Sequence, residues 1–274
     1  MSDPAIPSIP EIRKSAQVLS APDALATVVK VGDFAVKFGP SVTMLEAENL
    51  EYVSKNSKVP APKFFTAFTE PETKSTFIVM EHVDGVQLED IWKSLTPSEK
   101  LDVGKQIQTA VENLRTLQPP GYLRSVRRQA FADAIFYLEE PNSAVQGPFE
   151  SEDEMNEAMI QKMAQYLPQP SQSLMRTLMS TTLRGHKTTF THGDLQPKNI
   201  MVRRTGTRDD DTGIFEIKIL DWEVSGWYPE YWEFCKSTVA GFAKPDWLEL
   251  VQQIMQIYPN EYLMMESVRK ILFW

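Results

Sequence analysis

The chain has 274 residues, 42% of them hydrophobic, enough apolar material for one large domain or for two lobes around a shared cleft. A formal net charge of −9, with no basic run and no basic-aromatic stripe, excludes a nucleic-acid binder and points to small molecules as partners. The single cysteine, Cys235, cannot close an internal disulfide, and with three scattered histidines it makes no zinc site. The opening "MSDPAIPSIP" lacks the pattern of a signal peptide, and no window approaches the roughly 18 apolar residues of a membrane span, so the expectation is a soluble, cytoplasmic chain.

In chain order, "TVVKVGDFAVKF" from Thr27 to Phe38 alternates around Gly32-Asp33 and predicts two strands joined by a tight turn. "SVTMLEAENLEYVSKNS" then spaces Met44, Leu45, Leu50 and Val53 as a helix does, and the prolines of "VPAP" stop it. Lys63 to Phe68 and Thr76 to Met80 are two further strands about the turn-like "TEPETK". These elements make a small sheet with one helix behind it, and the reading assigns residues 1–82 to this lobe.

The period changes after Val86. Apolar residues recur at three- and four-residue steps on both sides of a break at Thr96-Pro97, which predicts a helical pair. Further helices are expected from about Gln129 to Glu139, over "SEDEMNEAMIQKMAQYL" with Ser151 at its start, and from Ser171 to Leu183. Strands return in "KNIMVRR" and "IFEIKILDW", which flank the polar turn "TGTRDDDTG", and the remainder from Tyr231 to Trp274 reads as helical. The fold class expected is therefore α+β, a small sheet-plus-helix lobe followed by a larger, mostly helical lobe over residues 83–274 that contains one hairpin.

The chemistry gathers at that hairpin. In "THGDLQPKNIMV", Asp194 and Asn199 precede an apolar strand where a bare carboxylate would be costly to desolvate, and Asp221 follows the apolar run "FEIKIL". The order His192, Asp194, Asn199, hairpin, Asp221 is the one phosphoryl transfer from ATP needs. One carboxylate, Asp194, orients the attacking hydroxyl and accepts its proton, while Asn199 and Asp221 hold Mg²⁺ on the phosphates. The spacing is that of the kinase catalytic loop H-R-D-x-x-x-x-N, with Gly193 in the arginine position. A bound Mg²⁺ and nucleotide would compensate the buried oxygens. His192 is read as a support of the loop, because Asp194 already occupies the place of a base.

"FTHGDLQPKNIMV" together with "ILDWEVSGWYPEYWEF" resembles the aminoglycoside phosphotransferase and choline kinase superfamily, in particular fungal aminoglycoside-phosphotransferase-like proteins of unassigned substrate. The resemblance extends from about Thr27 to the C-terminal helices and implies a bilobal, protein-kinase-like fold with ATP between the lobes. It implies that Lys37 in "FAVKFG" contacts the α- and β-phosphates and that Glu46, in preference to Glu48, pairs with it. It also implies that "IVMEHVDG" is the interlobe hinge, with the backbone at Glu81 and Val83 bonding adenine and Met80 packed nearby. No glycine-rich loop precedes Lys37: "SAQVLSAPDALATVVKV" has no glycine before Gly32.

The function expected is an ATP- and Mg²⁺-dependent phosphotransferase acting on a hydroxyl of a small molecule. A catalytically silent nucleotide- or metabolite-binding protein is the alternative, favoured by the missing glycine loop and opposed by Lys37, Asp194, Asn199 and Asp221. A protein kinase is disfavoured, because no A-P-E segment follows Asp221 and "DWE" stands where D-F-G would be. Glu230 and Glu233 lie among Trp222, Trp227, Tyr228, Tyr231 and Trp232, and the acids of residues 150–157 lie on the helical lobe. If these lined the acceptor pocket, the acceptor would be a cationic or aromatic alcohol; otherwise the acids are solvated and the aromatics are core. Removing Lys37 is expected to weaken ATP binding more than adenosine binding and to leave stability almost unchanged.

Overall fold

The computed structural model describes residues 5–140, 142–239 and 244–273. Its first helix, α1 (Ile9–Lys14), is followed by the antiparallel strands β1 (Thr27–Val31) and β2 (Phe34–Gly39). Gly32, at φ +60°, turns the tight corner between them. Next come α2 (Met44–Asn56), β3 (Phe64–Thr69) and β4 (Thr76–Glu81), and the four strands form one sheet in the order β1-β2-β4-β3. Val18 bridges Val29 on the outer edge of β1, so residues 20–26 loop from that edge back into the sheet.

Two-residue alternation divides this sheet into two faces. Val29, Phe34, Val36, Phe77 and Val79 form one small core, sealed by Ile12 of α1. The opposite face carries Lys37, whose register partner is Ile78, and Ile78 belongs to the main core with Ala47, Leu50 and Val53 of α2. The side chain of Lys37 is thereby directed toward α2. That main core also holds Val103, Ile107 and Leu114 of a later helix and Trp222, Trp227 and Trp232, so α2 is packed on the rest of the chain as well as on its own sheet.

The larger part begins with the short β5 (Val86–Gln87) and α3 (Leu88–Ile91). The central helix α4 (Pro97–Arg115) starts at Thr96, which caps it in a reciprocal box with Glu99. After α5 (Ser143–Gln146), α6 (Glu152–Met163) and α7 (Gln169–Thr182) come β6 (Thr188–Thr191), β7 (Ile200–Thr207), β8 (Gly213–Ile219) and β9 (Gly226–Pro229). The helices α8 (Trp232–Ser237), α9 (Pro245–Ile254) and α10 (Pro259–Phe273) follow. The predicted hairpin is β7-β8, β5 extends it on one side, and β6 pairs with β9. No helix among the described residues is long and apolar enough to cross a membrane.

One expected helix is absent. Residues 129–139 form isolated turns instead, because Arg128 adopts φ +58° and the carboxylate of Asp133 accepts from the Ile135 amide. Phe131, Ile135 and Phe136 are buried all the same, with Phe131 stacked on Tyr228 and Phe136 on Trp232. The apolar spacing signals burial, and turns achieve that burial here. The helical tail was expected to reach Trp274, which together with residues 240–243 lies outside the described residues.

Candidate active site

The β7-β8 hairpin assembles the site. Ile200 is paired with Ile219, and Leu220 N–H donates to Asn199 O at 2.8 Å, so Asn199 and Asp221 emerge side by side at the open end of one hairpin. Asp221 takes φ +65°, a left-handed conformation uncommon for a residue with a side chain. Its carboxylate is thereby turned toward β2, where Lys37 Nζ donates to Asp221 Oδ1 at 2.7 Å and to Glu46 Oε1 at 2.7 Å. The Lys37 side chain is only 13% exposed and that of Glu46 6%. Burial by itself would lower the lysine pKa, but the two carboxylates outweigh it and raise it well above its ordinary value. Glu46 is pushed up to about 7, chiefly by burial, with Lys37 opposing and Asp221 adding to the rise. Its second oxygen is buried without a hydrogen-bond donor. Glu48, the poorer candidate on α2, accepts instead from Gln129.

Asp194 stands on the loop between β6 and β7. Gln196 donates to its Oδ1 at 2.6 Å and Asn199 to its Oδ2 at 2.9 Å, which hold the carboxylate in one orientation. Asn199 also donates to the Asp194 carbonyl, and no protein donor among the described residues reaches its amide oxygen. His192 is wholly buried; its Nε2 meets the Leu220 carbonyl at 2.8 Å and its Nδ1 accepts from the Asp194 amide at 3.2 Å. One ring nitrogen thus fastens the loop to the end of β8 and the other braces the loop itself, the supporting role expected of it. Gly193 has φ +83°, and a Cβ there would approach the Val224 carbonyl to 3.0 Å, which accounts for glycine where protein kinases carry arginine.

Three residues with a part in this geometry were not singled out from the sequence. Glu223 lies two residues beyond Asp221, and one oxygen each from Glu46, Asp221 and Glu223 lie within 4.8 Å of one another. Burial and the neighbouring Asp221 raise its pKa. The "DWE" spacing was the available signal. Asn49, fully buried on α2, donates to the carbonyls of Trp222 at 2.9 Å and Ser225 at 3.0 Å, and so ties the helix of Glu46 to the segment of Asp221. Nothing local in the sequence announces such a contact. Gln196 is visible only as part of "DLQPKN".

Glu233 was expected either at an acceptor pocket or on a solvated helix, and it does neither. It is buried on α8 and accepts from the amides of His192 at 2.6 Å and Gly193 at 3.3 Å, beneath the loop that carries Asp194. Burial raises its pKa. Trp222, Trp227, Tyr228, Tyr231 and Trp232 are likewise buried in the core. At the end of β4, the Glu81 amide donates to Lys63 O and the Glu81 carboxylate pairs with Lys218. Val83 makes no backbone hydrogen bond among the described residues, and Met80 packs half-buried on the main core.

The donor set fits a hard cation. Asp221 offers the oxygen that Lys37 leaves, Glu223 a carboxylate and Asn199 an unengaged amide oxygen, whereas Glu46 has one oxygen on Lys37 and the other buried. With Lys37 beside them, the arrangement can hold a polyphosphate through both an ammonium and a metal, and can present Asp194 to a hydroxyl.

Comparison with known proteins agrees with this geometry. The sequence pattern of the "Phosphotransferase enzyme family" matches residues 19–266. No curated protein matches the chain. Among solved structures, the chain is similar to a thermostable mutant of aminoglycoside phosphotransferase APH(4)-Ia in ternary complex with ADP and hygromycin B. That likeness has 10% identity and a TM-score of 0.54 over 96% of each chain. It is also similar to the GDP complex of aminoglycoside 2'-phosphotransferase-IIIa, with 12% identity and a TM-score of 0.55 over 93% of this chain and 81% of that one. A choline/ethanolamine kinase family protein from Mesorhizobium loti gives 14% identity and a TM-score of 0.52 over 93% and 76% respectively. At these identities the likeness shows the fold, a bilobal kinase-like one.

Proposed function

The chain belongs to the phosphotransferase enzyme family, and from that premise we propose that it is an ATP- and Mg²⁺-dependent kinase that phosphorylates a hydroxyl of a small molecule. The observation that carries the reading is the meeting of Lys37 with both Glu46 and Asp221, beside an Asp194 oriented by Asn199. A lysine kept charged in a nearly dry cleft by two carboxylates has a purpose if phosphate oxygens join it. The structures bound to ADP and GDP support a nucleotide donor. The adenine would bond the Glu81 carbonyl and the Val83 backbone, with Met80 beneath it.

Asp221, Glu223 and Asn199 would hold Mg²⁺, whose charge would offset that of the β- and γ-phosphates. Asp194 holds the acceptor hydroxyl in line and takes its proton as the acceptor oxygen bonds to the γ-phosphorus; the bond from that phosphorus to the bridging oxygen breaks, and ADP leaves. Residues 20–26 supply main chain where a glycine-rich loop would cover the phosphates. We read residues 1–82 as the nucleotide lobe and residues 83–274 as the catalytic and acceptor lobe, acting in the cytoplasm on a small molecule with no nucleic acid or membrane involved. A cationic or aromatic alcohol keeps support from the half-buried Glu230 and from the acids of residues 150–157, since Glu233 and the aromatic group are buried in the core. Incubation with ATP, Mg²⁺ and a metabolite extract should yield a compound heavier by one phosphoryl group. No such product with the wild type, or an equal amount with Asp194→Asn, would overturn the reading.

A further inference from the structure

In this acidic chain, "GYLRSVRRQAF" (residues 121–131) places three arginines within five positions. Arg127 is engaged by Glu51 at 3.2 Å and Glu48 at 3.7 Å. Arg128 meets Glu150 at 2.9 Å, a carboxylate that is itself 59% exposed. Arg124 differs from both. It is 3% exposed, its Nε is enclosed without an acceptor, and among the described residues its guanidinium has no ion pair and no hydrogen bond. What it has is the ring of Tyr122, 5.3 Å from its Cζ, and Arg128 lies over the same ring at 4.9 Å. An arginine stays charged in a protein, so a buried and unpaired guanidinium beside a second one is an arrangement that a fold retains at a cost in stability.

The surrounding backbone is built to keep that arrangement. Arg124 exchanges both backbone hydrogen bonds with Trp227 of β9, at 3.1 and 2.8 Å, and Leu123 does the same with Phe149. Gly226 permits the approach, since a Cβ there would come to 2.9 Å of the Arg124 carbonyl. The buried Ser125 donates to the Gln129 carbonyl and accepts from its amide, which closes the loop in which Arg128 takes its left-handed φ of +58°. A cavity of about 70 Å³ beside Tyr122 is lined in part by Glu150, Glu152 and His186 and by neither arginine, and Glu152 is spent on His186 at 2.7 Å. The local chemistry is two guanidinium forks, one aromatic platform and one displaceable carboxylate.

We infer that Arg124, Arg128 and Tyr122 form a binding site for an oxyanion, a carboxylate or phosphate group borne by a small molecule, which displaces Glu150 from Arg128 and completes the hydrogen bonding of Arg124. Guanidinium forks match such groups in shape and charge. Among the described residues none of these three side chains shares a hydrogen bond or ion pair with Lys37, Glu46, Asp194, Asn199 or Asp221. If the oxyanion belongs to the acceptor, the inference rests on the phosphotransferase reading and selects acceptors that carry an acid; if it is free phosphate, it does not need that reading.

The test uses the full chain and titrates inorganic phosphate and, separately, acetate at constant ionic strength, by calorimetry and thermal unfolding, with and without Mg²⁺ and a non-hydrolysable ATP analogue. Saturable binding of one of these anions to the wild type is expected under both conditions, weakened about tenfold or more in Arg124→Gln and in Arg128→Gln. Glu150→Gln should bind it about threefold more tightly, because it removes an exposed internal competitor. Equal affinity in the wild type and the arginine variants, which means an adventitious ion only, would overturn the inference, as would weaker binding in Glu150→Gln. If Arg124→Gln does not fold, Arg128→Gln and Glu150→Gln decide the matter. Once an acceptor is known, one that carries the oxyanion should show a KM raised about tenfold in Arg128→Gln with kcat changed less, whereas a free-phosphate site leaves that KM unchanged. Failure of phosphoryl transfer itself leaves the binding arm intact, so the two readings fail separately.

Discussion

Replacing Lys37 by methionine keeps most of the side-chain volume and removes the ammonium. As a strand residue with a solvated head, Lys37 would be dispensable for stability. Its contacts lead to the opposite expectation, because its head is shared at 2.7 Å by two carboxylates in a cleft where Glu46 is almost sealed from solvent. Breaking a buried pair from one side costs about 3 to 5 kcal/mol, and Asp221, a quarter exposed, places the loss near about 3 kcal/mol at neutral pH. The loss should also depend on pH. Glu46 has an ordinary value of 4.5 and a folded value of about 7, and without the lysine its folded value must rise further, because Lys37 is the cation opposing its burial. A carboxyl whose folded pKa is raised binds more protons folded than unfolded, so its contribution to stability falls as pH rises toward that folded pKa. The variant's deficit relative to wild type should therefore grow from about pH 7 upward, by about 1.4 kcal/mol per pH step of one, until the higher folded pKa of Glu46 in the variant is passed. Denaturant unfolding of both proteins at pH 6 and pH 9, free of metal and nucleotide, measures this. Affinity for ATP should fall while affinity for adenosine holds. A variant as stable as wild type at both pH values, or one whose deficit shrinks as pH rises, would refute the buried triad.

The remaining predictions concern the loop and the metal. Asp194→Asn should lower kcat by about 10²- to 10⁴-fold with little change in nucleotide affinity, read by steady-state kinetics and calorimetry; near-wild-type turnover removes Asp194 as the base. Asp221→Ala should abolish Mg²⁺-dependent binding of an ATP analogue, while Asn199→Ala should chiefly raise the Mg²⁺ requirement, because one supplies a full charge and the other a dipole; equal affinities in Asp221→Ala and wild type contradict the ligand set. Glu233→Gln should cost about 1 to 3 kcal/mol in denaturant unfolding, since an amide cannot accept from both the His192 and Gly193 N–H groups that the carboxylate now satisfies; unchanged stability would mean that the loop is held by other contacts.

What the sequence determined by itself is what local chemistry dictates. The hairpin at Gly32, the helix capped at Thr96, and the pair of strands around "TGTRDDDTG" follow from turn residues, caps and periodicity, all of which act between near neighbours. Asp194, Asn199 and Asp221 were legible as a group because a loop and a hairpin end carry them at characteristic spacing. The tertiary structure decided everything that depends on which surfaces meet. Glu46 reaches Lys37 while Glu48 turns to Gln129, although both lie on one helix, because only one face of α2 looks onto the inner side of the sheet. Glu233 became a fastening under the loop of Asp194, and the apolar residues near Phe131 are buried by turns. Asn49 joins a helix to carbonyls more than 170 positions away. Arg124 has no close ion pair among the described residues, in a chain whose acids outnumber its bases. Composition and spacing state what a side chain can do, but burial and the choice of partner are properties of packed surfaces, and those exist only once the chain has folded.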